Sequence, residues 1–383
     1  MGPLSGIRII EIAGIGPGPF AAMLLADMGA EVIRVERPGG SVFADDRTEL
    51  DMLNRGKRCI CADLKTSGGI DVVKRLLKTA DAMLEGFRPG VLEKLGLGPD
   101  ECLALNDKLV IGRMTGWGRE GPLAMRAGHD INYIAIAGAL HPIGRAGEKP
   151  VIPLNLVGDF GGGGMLLAYG LVCALLESKI SGKGQIVDAA MVDGAALLMT
   201  SIFSASQTGF WSEERGTNIL DGGAPFYEVY ETADHKYMAV GAIESQFYQV
   251  FTERLGLKGS LPNQYDAEQW PAMKETIQAV FNTKTRDEWT TIFEDSDACV
   301  SPVLAMREAK DHPHNRARGN FVERDGIWQA RTAPRFSRTD GGEAGKAVPI
   351  GHDTREILVE LGYSDEEQEV LLGNASVIAS SLS

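Results

Sequence analysis

The strongest constraint on the fold is a repeating grammar in the N-terminal half of the chain. Short apolar runs alternate with helical stretches, and each unit closes on Gly or Pro. Residues 7–12 read as a strand, 20–28 as a helix and 31–36 as a second strand. The pattern continues through a strand at 59–62, a helix over 68–80, and strands at 82–85 and 109–113. Strands joined through helices run parallel, and a parallel sheet is buried on both faces. The chain is therefore expected to be α/β, with a parallel sheet covered by helices.

The grammar changes after Gly182-Lys183-Gly184-Gln185. A helical segment over 187–207 leads into a glycine-rich connector at 216–223, and residues 226–231 and 237–242 read as a hairpin around Ala233-Asp234-His235. A helix over 246–255 follows. The expected plan is a large domain over 1–185, a linker over 186–225, a smaller α+β domain over 226–305 and a second linker over 306–335. Residues 336–383 hold two helix starts with capping-box spacing, Asp353 to Glu356 and Ser364 to Glu367, and are expected to return to the large domain.

Composition removes several classes of function. A net charge of −14 argues against nucleic acid, which demands many Lys and Arg contacts to phosphate. The five cysteines form no C-x-x-C pair and the six histidines are scattered, so neither a disulfide framework nor a metal site is expected. The longest apolar run, residues 165–176, is shorter than the roughly 20 residues that span a bilayer, so no membrane association is expected. No basic region precedes an apolar targeting segment, and a cytoplasmic location is the expectation.

Two motifs carry chemistry. His129 lies in Ala127-Gly128-His129-Asp130-Ile131-Asn132-Tyr133, and Asp159 in Val157-Gly158-Asp159-Phe160-Gly161-Gly162-Gly163-Gly164. An imidazole and a carboxylate form an acid/base pair suited to enolate chemistry. Asp159 is expected near a helix N-terminus, with bare glycines letting a substrate carbonyl approach and the following backbone amides holding an enolate oxygen. Singly, each has a plainer reading: His129 as a core histidine, and Asp159 and Glu244 as helix caps.

Residues Gly14-Ile15-Gly16-Pro17-Gly18-Pro19, with Glu36 ending the next strand, superficially resemble a dinucleotide fingerprint, but Pro19 replaces its third glycine and turn geometry is the better reading. Arg37, Lys65, Arg88 and Lys94 each follow a strand or open the next helix. Those positions gather at the carboxyl edge of a parallel sheet, where cations can hold phosphates, although solvated surface charge explains them equally well. Met114, Met165, Met191 and Met199 suit an adaptable acyl wall, with core filling the better reading.

On these residues the chain resembles the α-methylacyl-CoA racemases of the family III CoA-transferase superfamily. The resemblance extends over nearly the full length, through Pro3-Leu4-Ser5-Gly6, Ala62-Asp63-Leu64-Lys65, Asn155-Leu156-Val157-Gly158-Asp159-Phe160, Asp221-Gly222-Gly223-Ala224-Pro225 and Val240-Gly241-Ala242-Ile243-Glu244. It implies a Rossmann-like large domain, a small domain joined by two crossing linkers, and two chains interlocked as a homodimer with shared active sites. It places catalysis on His129, paired with Glu244 from the partner chain, and on Asp159. CoA-binding positions fall on Arg37, on Ala62, Asp63, Leu64 and Lys65, on Gly86, Phe87 and Arg88, and on Gly128, Asp130, Ile131, Asn132 and Tyr133. Lys94 stands where close relatives carry an arginine, keeping charge but losing the planar fork.

The activity so implied is interconversion of (R)- and (S)-2-methylacyl-CoA thioesters, one base removing the α-proton and the opposite acid returning it. No cofactor is expected beyond the CoA of the substrate, because the thioester acidifies the α-carbon. The alternatives are CoA transfer, with Asp159 attacking the thioester carbonyl, and a non-catalytic CoA-binding scaffold. Transferases of the superfamily usually carry an aromatic residue at the position of His129, which favours racemisation.

Overall fold

A computed structural model of the chain describes residues 2–40, 50–324, 326–342 and 345–380. The chain divides into two compact units. The first comprises Met1–Ala137, Leu154–Leu198 and Gly319–Ser383, and the second Gly138–Pro153 and Met199–Arg318.

The first unit is built on strands β1 (Arg8–Ile12), β2 (Glu31–Glu36), β3 (Arg58–Ala62), β4 (Ala82–Glu85), β5 (Val110–Thr115) and β6 (Ile186–Ala190). They lie side by side in the order β3-β2-β1-β4-β5-β6, all parallel, which is the order of doubly wound dinucleotide-binding folds. Period-two alternation sends Ile10, Ile33, Ile60 and Met83 to one face and Ile9, Val32, Ala82 and Leu84 to the other. Both faces are buried.

Helices α1 (Pro17–Asp27), α2 (Ser67–Lys78), α3 (Val91–Lys94), α4 (Pro99–Leu105), α5 (Asp130–Ile136), α6 (Leu166–Ser181) and α7 (Met191–Leu198) complete the N-terminal portion of this unit. Val72, Val73, Leu76 and Leu77 of α2 pack on one face of the sheet. Ala21, Ala22 and Leu25 of α1 and Leu167 and Leu171 of α6 pack on the other.

Two local expectations are corrected. The segment expected to be helical from 187 begins as β6, whose Ile186 and Val187 pair with Ile111 and Gly112 before the chain turns into α7 without a break. β-Branched residues matching an open strand edge outweigh helical periodicity here. Preceding α6 is a ten-residue π-helical segment, Leu156–Met165, so the continuous helix runs Leu156–Ser181, 26 residues, long and apolar enough by length to cross a membrane. The apolar run read from the sequence was shorter because helical Gly161–Gly164 separates two apolar stretches. Leu167 and Leu171 are fully buried against the sheet side, as in a core helix.

The second unit holds α8 (Thr200–Gln207), a three-stranded antiparallel sheet of β7 (Tyr227–Glu231), β8 (Tyr237–Gly241) and β9 (Val300–Pro302), and helices α9 (Ser245–Arg254), α10 (Trp270–Phe281), α11 (Arg286–Phe293), α12 (Met306–Ala309) and α13 (Pro313–Arg318). Its core is aromatic, with Phe226, Tyr230, Phe251, Phe281 and Trp289 all buried.

The chain then returns to the first unit with the hairpin β10 (Phe321–Arg324) and β11 (Ile327–Ala330), α14 (Thr354–Glu360), α15 (Asp365–Gly373) and β12 (Val377–Ile378), which adds antiparallel to the β3 edge. Ser364 and Glu367 form the expected capping box. Asp353 does not cap its own helix; its Oδ2 accepts the Cys59 N–H at 2.7 Å and ties α14 to β3.

Candidate active site

Strand order reverses between β1 and β4, and the chains leaving their carboxyl ends diverge there. A cavity of about 1060 Å³ opens at this point, lined by residues after β1 (Gly14, Gly16), after β4 (Gly86, Phe87, Arg88) and after β5 (Thr115, Trp117). His129 and Asp159 both line it. The glycine turn of residues 14–19 is thus both a turn and a cavity wall. Gly16 takes φ +68°, and Pro17 opens α1.

His129 is the N-cap of α5 and is exposed to the cavity. Its backbone is held on both sides: its N–H donates to Asn132 Oδ1 at 3.0 Å, and its carbonyl accepts the Asn132 N–H at 2.8 Å. The buried Tyr133 ring packs edge-on against Trp117 at 4.7 Å, and the Tyr133 hydroxyl donates to the Gly128 carbonyl. Tyr133 and Asn132 therefore fix the loop that presents the imidazole.

Asp159 sits in the first turn of the π-helical segment and is half-buried. Its N–H donates to Asp130 Oδ2 at 2.7 Å, and its Oδ2 accepts from Asn155 Nδ2 at 3.1 Å. A Cβ added to Gly16 would lie 3.2 Å from that same Oδ2, so the carboxyl faces the glycine turn. Burial pushes the Asp159 carboxyl above the ordinary aspartate value; the Asn155 hydrogen bond opposes the rise, the Asp130 carboxylate adds to it and His129 opposes it.

The glycines after Asp159 do not provide an approach for substrate. Gly162, Gly163 and Gly164 are buried. A Cβ on Gly162 would come within 2.6 Å of Ala195 N, and one on Gly194 within 1.8 Å of Gly162 O, so bare residues let this segment and α7 meet backbone to backbone. Nor are the amides after Asp159 free for an enolate. The Phe160 N–H already turns back to the Asn155 carbonyl at 3.3 Å, as i to i−5 pairing requires.

The residues assigned to CoA divide into groups. Gly86, Phe87, Arg88, Gly128 and Tyr133 line the large cavity, and Leu64, Lys65 and Lys94 line a second one of about 470 Å³. Arg37 lines neither; its Nε donates to the Gly40 carbonyl at 2.8 Å, next to residues 41–49, which lie outside those described. Ala62 is buried at the end of β3, and Asp63 Oδ1 accepts the Lys65 N–H at 3.0 Å, shaping the turn rather than a cavity wall. Asp130, Ile131 and Asn132 do not line the large cavity; Asp130 is buried and Asn132 is engaged with His129.

The 86–88 loop is held from below. Glu85, fully buried, accepts the Phe87 N–H at 2.7 Å with one oxygen and Arg113 Nε at 2.7 Å with the other. Glu244, in the second unit, is exposed at the start of α9 and forms no side-chain cap, so the capping reading of that residue does not hold.

Sequence reasoning passed over Arg126, Trp117, Asn155 and Phe160, which line the large cavity, and Lys74, which lines the smaller one. Lys74 lies four residues after Ile70, one turn along α2 on the same face, and that spacing was the available signal. Met114 and Met191 are buried and line the cavity at once, while Met165 is 52% exposed.

A model of CoA-transferase family III matches residues 4–354 of the chain. The chain is 48% identical over 367 residues to the α-methylacyl-CoA racemase of Mus musculus, with 95% of the chain and 94% of that protein covered. Against the α-methylacyl-CoA racemase of Homo sapiens the identity is 47% over 368 residues, covering 95% and 94%. Among solved structures, a CAIB/BAIF family protein from Brucella suis superposes with a TM-score of 0.82 at 25% identity, covering 94% of this chain and 99% of that one.

Proposed function

The chain belongs to CoA-transferase family III, and from that premise we propose that it racemises 2-methylacyl-CoA thioesters by moving the α-proton. The observation that carries the reading is that His129 and Asp159 line one cavity from two different elements. A thioester whose α-carbon lies between them loses its proton to one group and regains it from the other on the opposite face. The raised carboxyl of Asp159 suits it to holding a proton nearer neutral pH than an ordinary aspartate. The two groups exchange roles between enantiomers.

Negative charge developing on the thioester oxygen needs donors, and the amides after Asp159 are already engaged. The N-terminal end of α5 is the better source of positive potential: it reaches the cavity through its N-cap His129, and the N–H groups of Asp130 and Ile131 behind it precede the first intrahelical bonds. The lysines around the smaller cavity suit CoA phosphates. The thioester acidifies its own α-carbon, so the scheme requires no further cofactor.

The finer part of the proposal is a homodimer in which Glu244 of a second copy orients the His129 imidazole. Glu244 is exposed and uncapped. The outer face of the continuous helix supports the association, since Met165 at the end of the π-helical segment and Tyr169, Val172, Leu176 and Ile180 of α6 form an exposed apolar stripe that a second copy would cover.

Incubating one enantiomer of a 2-methylacyl-CoA with the protein in deuterated water tests the reaction. Deuterium at the α-carbon with loss of optical purity is expected. Exchange only when a carboxylate acceptor is added would assign CoA transfer instead, and neither activity would leave a binding scaffold. Mixing Asp159→Ala and Glu244→Ala chains tests the shared site: a mixed dimer regains one intact site, so roughly a quarter of wild-type activity should return on statistical exchange of subunits. No recovery would place all three residues within one chain.

A further inference from the structure

Asp130 follows His129 directly and is 6% exposed. One carboxylate oxygen, Oδ2, accepts the Asp159 N–H at 2.7 Å, while the other, Oδ1, is buried without a hydrogen-bond partner. An unpaired buried carboxylate oxygen is costly, and such groups cluster where function requires them. A separate observation points to the same contact. A Cβ on Gly158 would lie 2.5 Å from Asp130 Oδ2 and 2.8 Å from its Cγ, so the residue before Asp159 must be bare for the carboxylate to reach the amide. One hydrogen bond thus joins the residue after one proton carrier to the backbone of the other.

We propose that Asp130 is a positioning residue, whose carboxylate clamps the Asp159 amide and fixes the Asp159 side chain relative to the His129 wall. The inference rests on the racemase reading of that site, and it replaces the expectation that Asp130 contacts CoA. The charge of Asp130 acts in the same direction. Asp159 is raised first by burial, with the Asn155 amide opposing, Asp130 raising and His129 opposing. Tyr133, buried beside it, is a further titratable neighbour, Arg88 and Arg126 are cations lining the same cavity, and Gly16 faces Asp159 from the turn before α1.

Two variants of the full-length protein test the clamp. Asp130→Asn keeps the shape and an acceptor but removes the charge, and Gly158→Ala drives the carboxylate off the amide. Gly158→Ala, which displaces the clamp, should lower kcat for α-proton exchange about 10- to 100-fold, and Asp130→Asn, which keeps a weaker neutral hydrogen bond, by a smaller but measurable factor, with KM and CoA affinity changed less than about threefold in both. Carbon-13 titration of the Asp159 carboxyl should move to lower pH in Asp130→Asn, because a negative neighbour has been removed. Wild-type kcat and an unmoved Asp159 titration in Asp130→Asn would overturn the proposal, as would parallel loss of kcat, CoA affinity and thermal stability. Absence of exchange in the wild-type protein would instead defeat the racemase reading, and the Asp159 titration would still decide the clamp.

Discussion

His129 and Asp159 face the same cavity but are held by opposite means. The imidazole is exposed at the tip of a helix cap, and its backbone is fixed through Asn132 and the buried Tyr133. The carboxyl is half-buried in a wide helical turn, and both its backbone and its side chain are bonded, to Asp130 and Asn155. The contrast follows from the chemistry of the two groups. Imidazoles as a class already exchange protons near neutrality, whereas a carboxyl has to be taken out of water to do so. One wall needs orientation alone; the other needs orientation and desolvation.

The largest expected effects come from removing either carrier. His129→Ala and Asp159→Ala should each reduce racemisation about 10²- to 10⁴-fold, measured as loss of optical purity, while CoA affinity by calorimetry stays within a few-fold. Equal losses of binding and rate would remove the distinction between the walls. Gly194→Ala should destabilise the protein by about 1–3 kcal/mol in denaturant titration, since its Cβ would meet the Gly162 carbonyl at 1.8 Å. A neutral result would mean that the support beneath Asp159 is loose.

The pH dependence sharpens the contrast further. In the direction that uses Asp159 as base, the rate requires the deprotonated carboxyl, so kcat should fall as pH drops through its raised value, by about tenfold per pH unit below it. That limb should lie above the ordinary aspartate range of about 4 and move down in Asp130→Asn. The smallest effects belong to the second cavity. Lys65→Ala and Lys94→Ala should each raise KM about three- to tenfold with kcat unchanged, more at low salt than at high, as for exposed charges holding phosphate. Lys94→Arg should lower KM slightly by restoring a planar fork.

The sequence made the parallel sheet legible because its strands are buried on both faces, which leaves continuous apolar runs such as Ile9-Ile10 and Ile60-Cys61-Ala62. It hid β6, where Ile186 to Ala190 runs straight into α7 with no turn signal between them. His129 and Asp159 were legible as residue types in unusual contexts. Their supports were not. Glycines after Asp159 suggest open backbone, yet close packing against α7 uses them, and the partner on the other side, Gly194 and Ala195, is brought there by the tertiary fold. Asp130 reads as an ordinary first-turn helix residue, and its bond to a residue 29 positions away has no local signature. Lys74 faces a cavity that exists only once β3 and α3 are in place.

The most direct test follows each enantiomer separately in single-carrier variants. Each pure 2-methylacyl-CoA enantiomer is incubated with His129→Ala or Asp159→Ala in deuterated water, and α-deuterium is counted by mass spectrometry. Two carriers on opposite faces predict asymmetry: each variant still exchanges the enantiomer whose proton faces the carrier that remains, without inverting it, and the favoured enantiomer switches between the two variants. Equal loss of exchange for both enantiomers in both variants would contradict the arrangement and leave a single-base site.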